Sequence, residues 1–385
     1  MAGANEEQKK AVPLYKAESY YRSWIESEGI PIYEGFYIED LAALELKPWR
    51  RVGGKGAYVV LDGMAGTDDS YVLELGAEEE TVPKRQIFED VVYVLSGQGE
   101  TRVWQRDRAQ QQFRWKEGSL FSVPLNAWHQ HRNTGKGPAR LVGVTGAPVV
   151  LDLFHNADFA FNNDYAFRDR YDGENDYFER SRWFRYAGLK DVNPDELVSI
   201  ETSVVPDIRK LELKLFPRGV GNSYAFLQMA DNVIAPHIAA WEIGVYSKAH
   251  RHGPGSTIII AEGKGHSLVW KGDIHYSKGK PHHRVDWHVG SMFVPPLYYF
   301  HQHFNTGDSP GRYVAIAWVG RKYRADGLGT ETHVQPVTHV REGGNQIDYE
   351  DEDPLVRTLF DEELKKSGVR SRMPPVKYRD PYGAF

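Results

Sequence analysis

The chain has 385 residues, 41% of them hydrophobic and 26% charged, enough to bury a core and to build two or three domains without covalent staples. Cysteine is absent, which excludes a disulfide framework, a thiolate nucleophile, an iron–sulfur cluster and a zinc-thiolate site. Lys+Arg number 47 against 53 Asp+Glu, a formal net charge of −6 with no long basic run, which argues against nucleic acid or an anionic membrane as a partner.

Residues 1–55 read as an N-terminal helical arm. A polar tail comes first, then helices over 16–27 and 38–46 separated by the Pro-containing IPIYEG. The tail lacks the apolar stretch of a signal peptide, and no apolar run approaches ~18 residues, so a cytoplasmic protein without a membrane-spanning helix is expected. From about residue 57 short Val/Ile/Leu/Tyr runs alternate with Gly, the pattern of an all-β barrel or sandwich. The pattern then repeats. GSLFSVPLNAWHQHRNTG (118–135) returns as GSMFVPPLYYFHQHFNTG (290–307), and FEDVVYVLSGQG (88–99) as PGSTIIIAEGKG (254–265). Two similar β units in tandem are therefore expected: a barrel over 56–151, a linker with short helical pieces over 152–205, and a second barrel over 206–330. The six extra residues of the second copy fall in a hairpin around KGDIHYSKGKPHH. A polar tail over 331–385 carries a helix candidate at 354–368 and is expected to wrap a neighbour or the other domain.

Most of the 15 histidines fall between residues 237 and 339. His250 and His252 flank Arg251, and alternate residues of a strand project to one face. His301 follows the Gly290 turn and the Pro295–Pro296 pair. A third imidazole there completes one face of a metal's coordination shell, and imidazole suits Fe, Zn, Cu and Ni. His303 shares that face and is a candidate acid/base or hydrogen-bond donor to substrate. His131 holds its place in the first copy, which points equally to a structural role. Asn133 and Asn305 repeat in the same way and read as turn caps. Trp241, Tyr298 and Trp318, with Tyr299 and Phe300, are candidates to stack on a planar substrate, or else ordinary packing. Arg251 should point outward, and His275, His282, His283 and His288 read as hairpin surface. In the first copy Lys84 and Gln86 stand where His250 and His252 stand, Asp90 matches Ser256, and only His129 remains, a degenerate metal motif.

The spacing Gly244-x5-His250-x-His252 resembles the first half of the cupin metal motif, and Gly290-x4-Pro295-Pro296 leading to His301-x3-Asn305 resembles the second. Together the two copies resemble a two-barrel cupin, which implies jelly-roll-like β-barrels in tandem. The motif's Glu is Ser256 in this chain. A three-histidine set of this kind is similar to that of gentisate, salicylate and hydroxynaphthoate ring-cleaving dioxygenases. The resemblance implies Fe(II) at His250, His252 and His301, with Zn, Mn or Ni as alternatives, O₂ and a small chelating substrate as reactants, and a homodimer or higher homo-oligomer. Cleavage of a hydroxylated aromatic acid leads. Oxygenation of a thiol or β-diketone, a non-catalytic binding or accessory protein, and a non-oxidative isomerase or hydrolase are the other readings.

Overall fold

The computed structural model describes residues 17–64, 66–253, 255–323, 325 and 337–379. Two units of the same plan lie in tandem, each a large sheet facing a small one. In the first, strands Lys55–Leu61, Asp69–Leu75, Ala139–Thr145, Asp90–Ser96 and Leu120–Ser122 form the body of the large sheet. The small sheet holds Trp128–Asn133, Gln98–Trp104 and Gln111–Lys116. In the second unit, Asn222–Gln228, Ala235–Trp241, Gly311–Ala317, Thr257–Glu262 and Met292–Phe293 repeat the large sheet. His282–His288, Lys264–Trp270, Phe300–Asn305 and Ala249–His250 repeat the small one. The sheets do not close on themselves, so each expected barrel is a two-sheet jelly-roll-like sandwich.

The repeated HQHxNTG segment has a common physical basis in both units. The Asn133 amide donates to the carbonyls of Leu75, Gly76 and Gly137, while its oxygen accepts from Gly135 N–H. Asn305 donates to the carbonyls of Trp241, Glu242 and Ser309 and accepts from Gly307 N–H. One buried amide thus ties the end of the histidine strand to the hairpin that follows it, the capping role expected of both. The extra residues of the second unit do lie in the hairpin between Lys264–Trp270 and His282–His288.

Strand periodicity places the two cores. On Gly311–Ala317, Tyr313 and Ala315 face the inside of the second sandwich, while Val314 and Ile316 face the first unit. The outward faces of both large sheets meet there in one apolar layer, with Val59, Val72, Val91 and Val142 opposite Leu227, Ile238, Ile259 and Val314. Polar bonds pin this layer: Glu89 accepts from Val233 and Ile234 N–H, and Trp318 donates to the Thr67 carbonyl.

The arm and the linker differ from expectation. The helix is Tyr20–Ser27, capped by Ser19, whose hydroxyl accepts from Arg22 N–H; it buries Tyr21 and Ile25. Residues 1–16 of the expected arm lie outside the described residues. No helix forms over 38–46. Strand Tyr37–Ile38 pairs instead with Met292–Phe293 of the second unit, and Leu41 N–H donates to the Gly290 carbonyl. Ile38 and Leu41 are buried in the inter-unit layer, so tertiary pairing overrides the local helical pattern. The linker carries helices Ala147–Phe154 and Ala157–Asn162, as expected, but also strands. Ser199–Thr202 joins the second unit's large sheet and Val204–Val205 the first's. The tail packs on its own second unit rather than on the first. Helix Pro354–Ser367, capped by Asp353, buries Val356, Phe360 and Leu364 in that core, and Gln346–Ile347 pairs with Ala249–His250. Among the described residues no helix is long and apolar enough to cross a membrane.

Candidate functional site

His250 ends a two-residue strand that pairs directly with His301. His252 follows in the loop that leads to strand Thr257–Glu262. The three imidazoles converge: their ligand atoms all lie within 4.8 Å of one another. The ring centroids of His250 and His301 are 4.1 Å apart, and those of His252 and His301 4.7 Å. Each ring is oriented by a backbone carbonyl at its Nδ1: Lys248 for His250 at 3.3 Å, Gly253 for His252 at 2.9 Å and Tyr299 for His301 at 3.1 Å. A carbonyl only accepts, so these partners assign the proton to Nδ1 and make Nε2 the acceptor atom of each ring. Burial holds all three in the neutral form: His252 is pushed down to about 4, and His250 and His301 fall well below the usual histidine value. Three neutral imidazoles with converging lone pairs suit a divalent first-row metal, so the donor set fits such an ion.

His303 is oriented the opposite way. Trp287 Nε1–H donates to Ser267 Oγ at 3.1 Å, and Ser267 lies 2.8 Å from His303 Nδ1. With its oxygen accepting from Trp287, the Ser267 hydroxyl can give its proton to Nδ1, the arrangement that puts the His303 N–H at Nε2. The same relay exists in the first unit, with Trp115, Thr101 and His131 at 3.0 and 2.8 Å. Only in the second unit does the relay's histidine share a cavity with the three imidazoles.

That cavity, about 50 Å³, is several times the space one water needs. Phe216, Tyr224, Phe226, Ile258 and Tyr313 form its walls, beside Ser256, His237, Arg218 and Arg321. Among the described residues its lining contains no Asp or Glu. Arg218 is 6% exposed, and its Nε and Nη1 have no hydrogen-bond partner. Burial, partly offset by the neighbouring Tyr224 and Tyr313 hydroxyls, lowers its pKa. Half-buried Arg321 lies over the rings of Tyr186 and Phe226, at 5.0 and 4.6 Å. Among the described residues neither guanidinium has a carboxylate partner. A desolvated charge without a counterion is costly, and Arg218 is such a charge; Arg321, half-buried, adds a second positive charge to the same cavity.

The aromatic candidates are placed elsewhere. Trp241 is buried behind His303, its ring 5.3 Å from that imidazole and 5.3 Å from Trp287, and it does not line the cavity. Trp318 belongs to the inter-unit layer. Tyr298 is 42% exposed and contributes its backbone N–H, which donates to the His252 carbonyl. Tyr299 and Phe300 also lie outside the lining; Phe300 carries Arg251 on its ring at 4.7 Å, away from the cavity. His282, His283 and His288 are exposed, as expected of the hairpin. Sequence reasoning missed Arg218, Arg321, His237, Tyr224 and Tyr313. No motif marks them, but Tyr224, Phe226, His237, Tyr313 and Ala315 all fall on the inward parity of their strands.

The cupin-domain family matches residues 71–145, which lie in the first unit. A 79-residue stretch is 38% identical to 5-aminosalicylate 1,2-dioxygenase of Comamonas sp, covering 20% of this chain and only a fifth of that relative. Oxalate decarboxylase of Bacillus subtilis, solved at pH 4.6, superposes with a TM-score of 0.47 at 12% identity over 74% of this chain and 76% of that one. The Lactobacillus farciminis oxalate decarboxylase formate complex gives 0.48 at 12% identity, covering 78% of this chain and 90% of its own.

Proposed function

We propose that this chain, whose first unit matches the cupin-domain family over residues 71–145 and whose second unit repeats the same plan, is a tandem cupin and a metal-dependent dioxygenase of a small anionic chelator, foremost a hydroxylated aromatic acid. The observation that carries the reading is the cavity itself: three neutral imidazoles beside two guanidinium groups that have no carboxylate partner among the described residues. His250, His252 and His301 would hold the metal through Nε2. An iron(II) ion there supplies open coordination positions and the electron transfer that O₂ activation needs. The protein's own groups do the rest. Arg218 binds the carboxylate through Nε and Nη1, both free for that purpose. His303 donates its Nε2 proton to a substrate oxygen and is held in that tautomer by Ser267. The aromatic walls exclude water and pack on the ring. Ring cleavage places both atoms of O₂ in the product, so no external reductant is required. The curated relative's named substrate, an aminated hydroxybenzoate, is an anion of this class.

The test is O₂ uptake by protein purified without added metal, assayed for metal content and reconstituted with Fe(II). Salicylate, gentisate and 5-aminosalicylate are compared with cysteine and acetylacetone. One iron per chain and hydroxybenzoate-dependent uptake, both lost in His301→Ala, are expected. Uptake with cysteine or acetylacetone alone, or tight hydroxybenzoate binding without O₂ consumption, overturns the reading.

A further inference from the structure

Resting on the dioxygenase reading above, we propose that the substrate carries two separated anionic groups, one bound beside the metal by Arg218 and the other, a carboxylate or sulfonate, bound at its far end by Arg321.

The two arginines stand at different depths. Lys248, two residues before His250, donates its N–H to the Arg218 carbonyl at 2.7 Å, whereas the Arg321 guanidinium sits 4.6 Å over the Phe226 ring, which is 5.9 Å from His237; His237 is in turn 5.9 Å from Tyr313, and Tyr313 5.8 Å from His303. Arg218 is thus next to the metal cluster, His237 lies between, and Arg321 lies beyond. A rigid ring held by the three histidines at one edge presents its opposite edge toward Arg321.

Arg321 is built to hold a charge in place. Its backbone N–H donates to Gln228 Oε1 at 2.8 Å, which fixes the chain where it leaves the sheet. The rings of Tyr186 and Phe226 contact the guanidinium, and Tyr186 also hydrogen-bonds to it. Five N–H donors lie along a guanidinium's edge, so donors remain after that one bond. Lys322, one residue on, has two carboxylates, Asp231 at 2.8 Å and Glu201 at 3.6 Å. Acidic groups are therefore present in this neighbourhood, yet they serve Lys322 and leave Arg321 to the cavity. Two guanidinium charges added to a divalent metal exceed what one phenolate and one carboxylate neutralise, and a second acid group on the substrate redresses the balance.

The test compares salicylate with 4-hydroxyisophthalate and 5-sulfosalicylate, which keep the salicylate chelate and add an anion para to its hydroxyl. Binding is measured by calorimetry under anaerobic conditions, on Fe(II)-loaded and on chelator-treated protein. The dianionic probes should bind at least about tenfold more tightly than salicylate, the effect of one charge-assisted contact. Arg321→Gln should bring the ratio near one, Arg321→Lys should keep part of it, and Arg218→Gln should weaken all three probes. Thermal melting of each variant separates a lost contact from a lost fold. Equal affinity for salicylate and the dianions, or a preference that survives Arg321→Gln in a folded protein, overturns the second-anion assignment and leaves the dioxygenase reading standing. Failure of all three probes to bind overturns both.

Discussion

The two units differ in how they supply positive charge to the same point in the same scaffold. In the second, His250 pairs with His301 across the small sheet; in the first, Lys84 bridges His129 in the same way. Lys84 is half-buried, and desolvation pushes its amine down to about 8 against the opposing pull of Asp90. Asp90 in turn accepts from Gln86 Nε2 at 2.8 Å and from Tyr71 OH at 3.1 Å. The first unit therefore carries its cation on a tether and keeps a carboxylate to answer it. The second presents neutral imidazoles, has Ser256 where Asp90 stands, and adds two arginines. One set of groups has its countercharge within the chain; the other combines three imidazoles that could hold a metal ion with two guanidinium groups that have no carboxylate partner among the described residues.

The largest change should come from making the first unit like the second. The double variant Lys84→His, Gln86→His creates three imidazoles beside Asp90, and metal content should rise from one to two per chain. Elemental analysis checks this, and a ratio that stays at one would falsify the equivalence of the two sites. Next in size is the relay. Ser267→Ala removes the group that sets the His303 tautomer and should lower kcat for a hydroxybenzoate about tenfold or more, the scale of general acid–base contributions. Thr101→Val cuts the matching relay of the first unit and should cost stability while leaving kcat within about twofold. Steady-state O₂ uptake on both variants decides whether the relay is functional in one unit only.

Smaller effects concern stability. Lys84→Met leaves the buried Asp90 without its cation and should cost about 2 kcal/mol, read as a lower urea midpoint with iron content unchanged. Acid should act through His266, which burial holds neutral down to about 3 while it stacks on Phe304 at 4.7 Å. Its unfolded pKa is near 6.5, so the unfolded chain gains a proton that the fold refuses, and stability falls as pH drops from about 6.5 toward 3. At pH 5 this one group accounts for about 2 kcal/mol. His266→Phe should therefore flatten the acid limb of the stability curve and change little above pH 7. Denaturant titrations at pH 5 and 7.5 test the difference.

Much of this organisation was legible in the chain. The HQHxNTG repeat announced two units, and the spacing of His250, His252 and His301 announced one cluster, because strand parity and turn chemistry act over a few residues. The arginines were not legible. Arg218 lies 32 residues before His250 and Arg321 lies 20 after His301, each a single polar residue with no local signature; only the folded cavity shows that they lack counterions. Trp318 was misplaced for a reason open to correction. It continues the parity of Val314 and Ile316, which face the other unit, and opposes that of Tyr313 and Ala315. The segment 38–46 has a helical texture, yet Ile38 finds its backbone partner in Met292, a distant contact that no window of neighbours can reveal.

That last pairing sets a timetable for the protein's birth. Tyr37 and Ile38 leave the ribosome some 250 residues ahead of their partners Met292 and Phe293. At about 5–20 residues per second, the early strand waits tens of seconds for its place in the sheet. The first unit's large sheet spends that interval with its apolar outer face, Val59, Val72 and Val142 among it, lacking the cover that Ile238, Ile259 and Val314 will provide. A nascent chain in that state is a natural client for a holding chaperone, and slowing translation of the second half should increase its aggregation more than slowing the first.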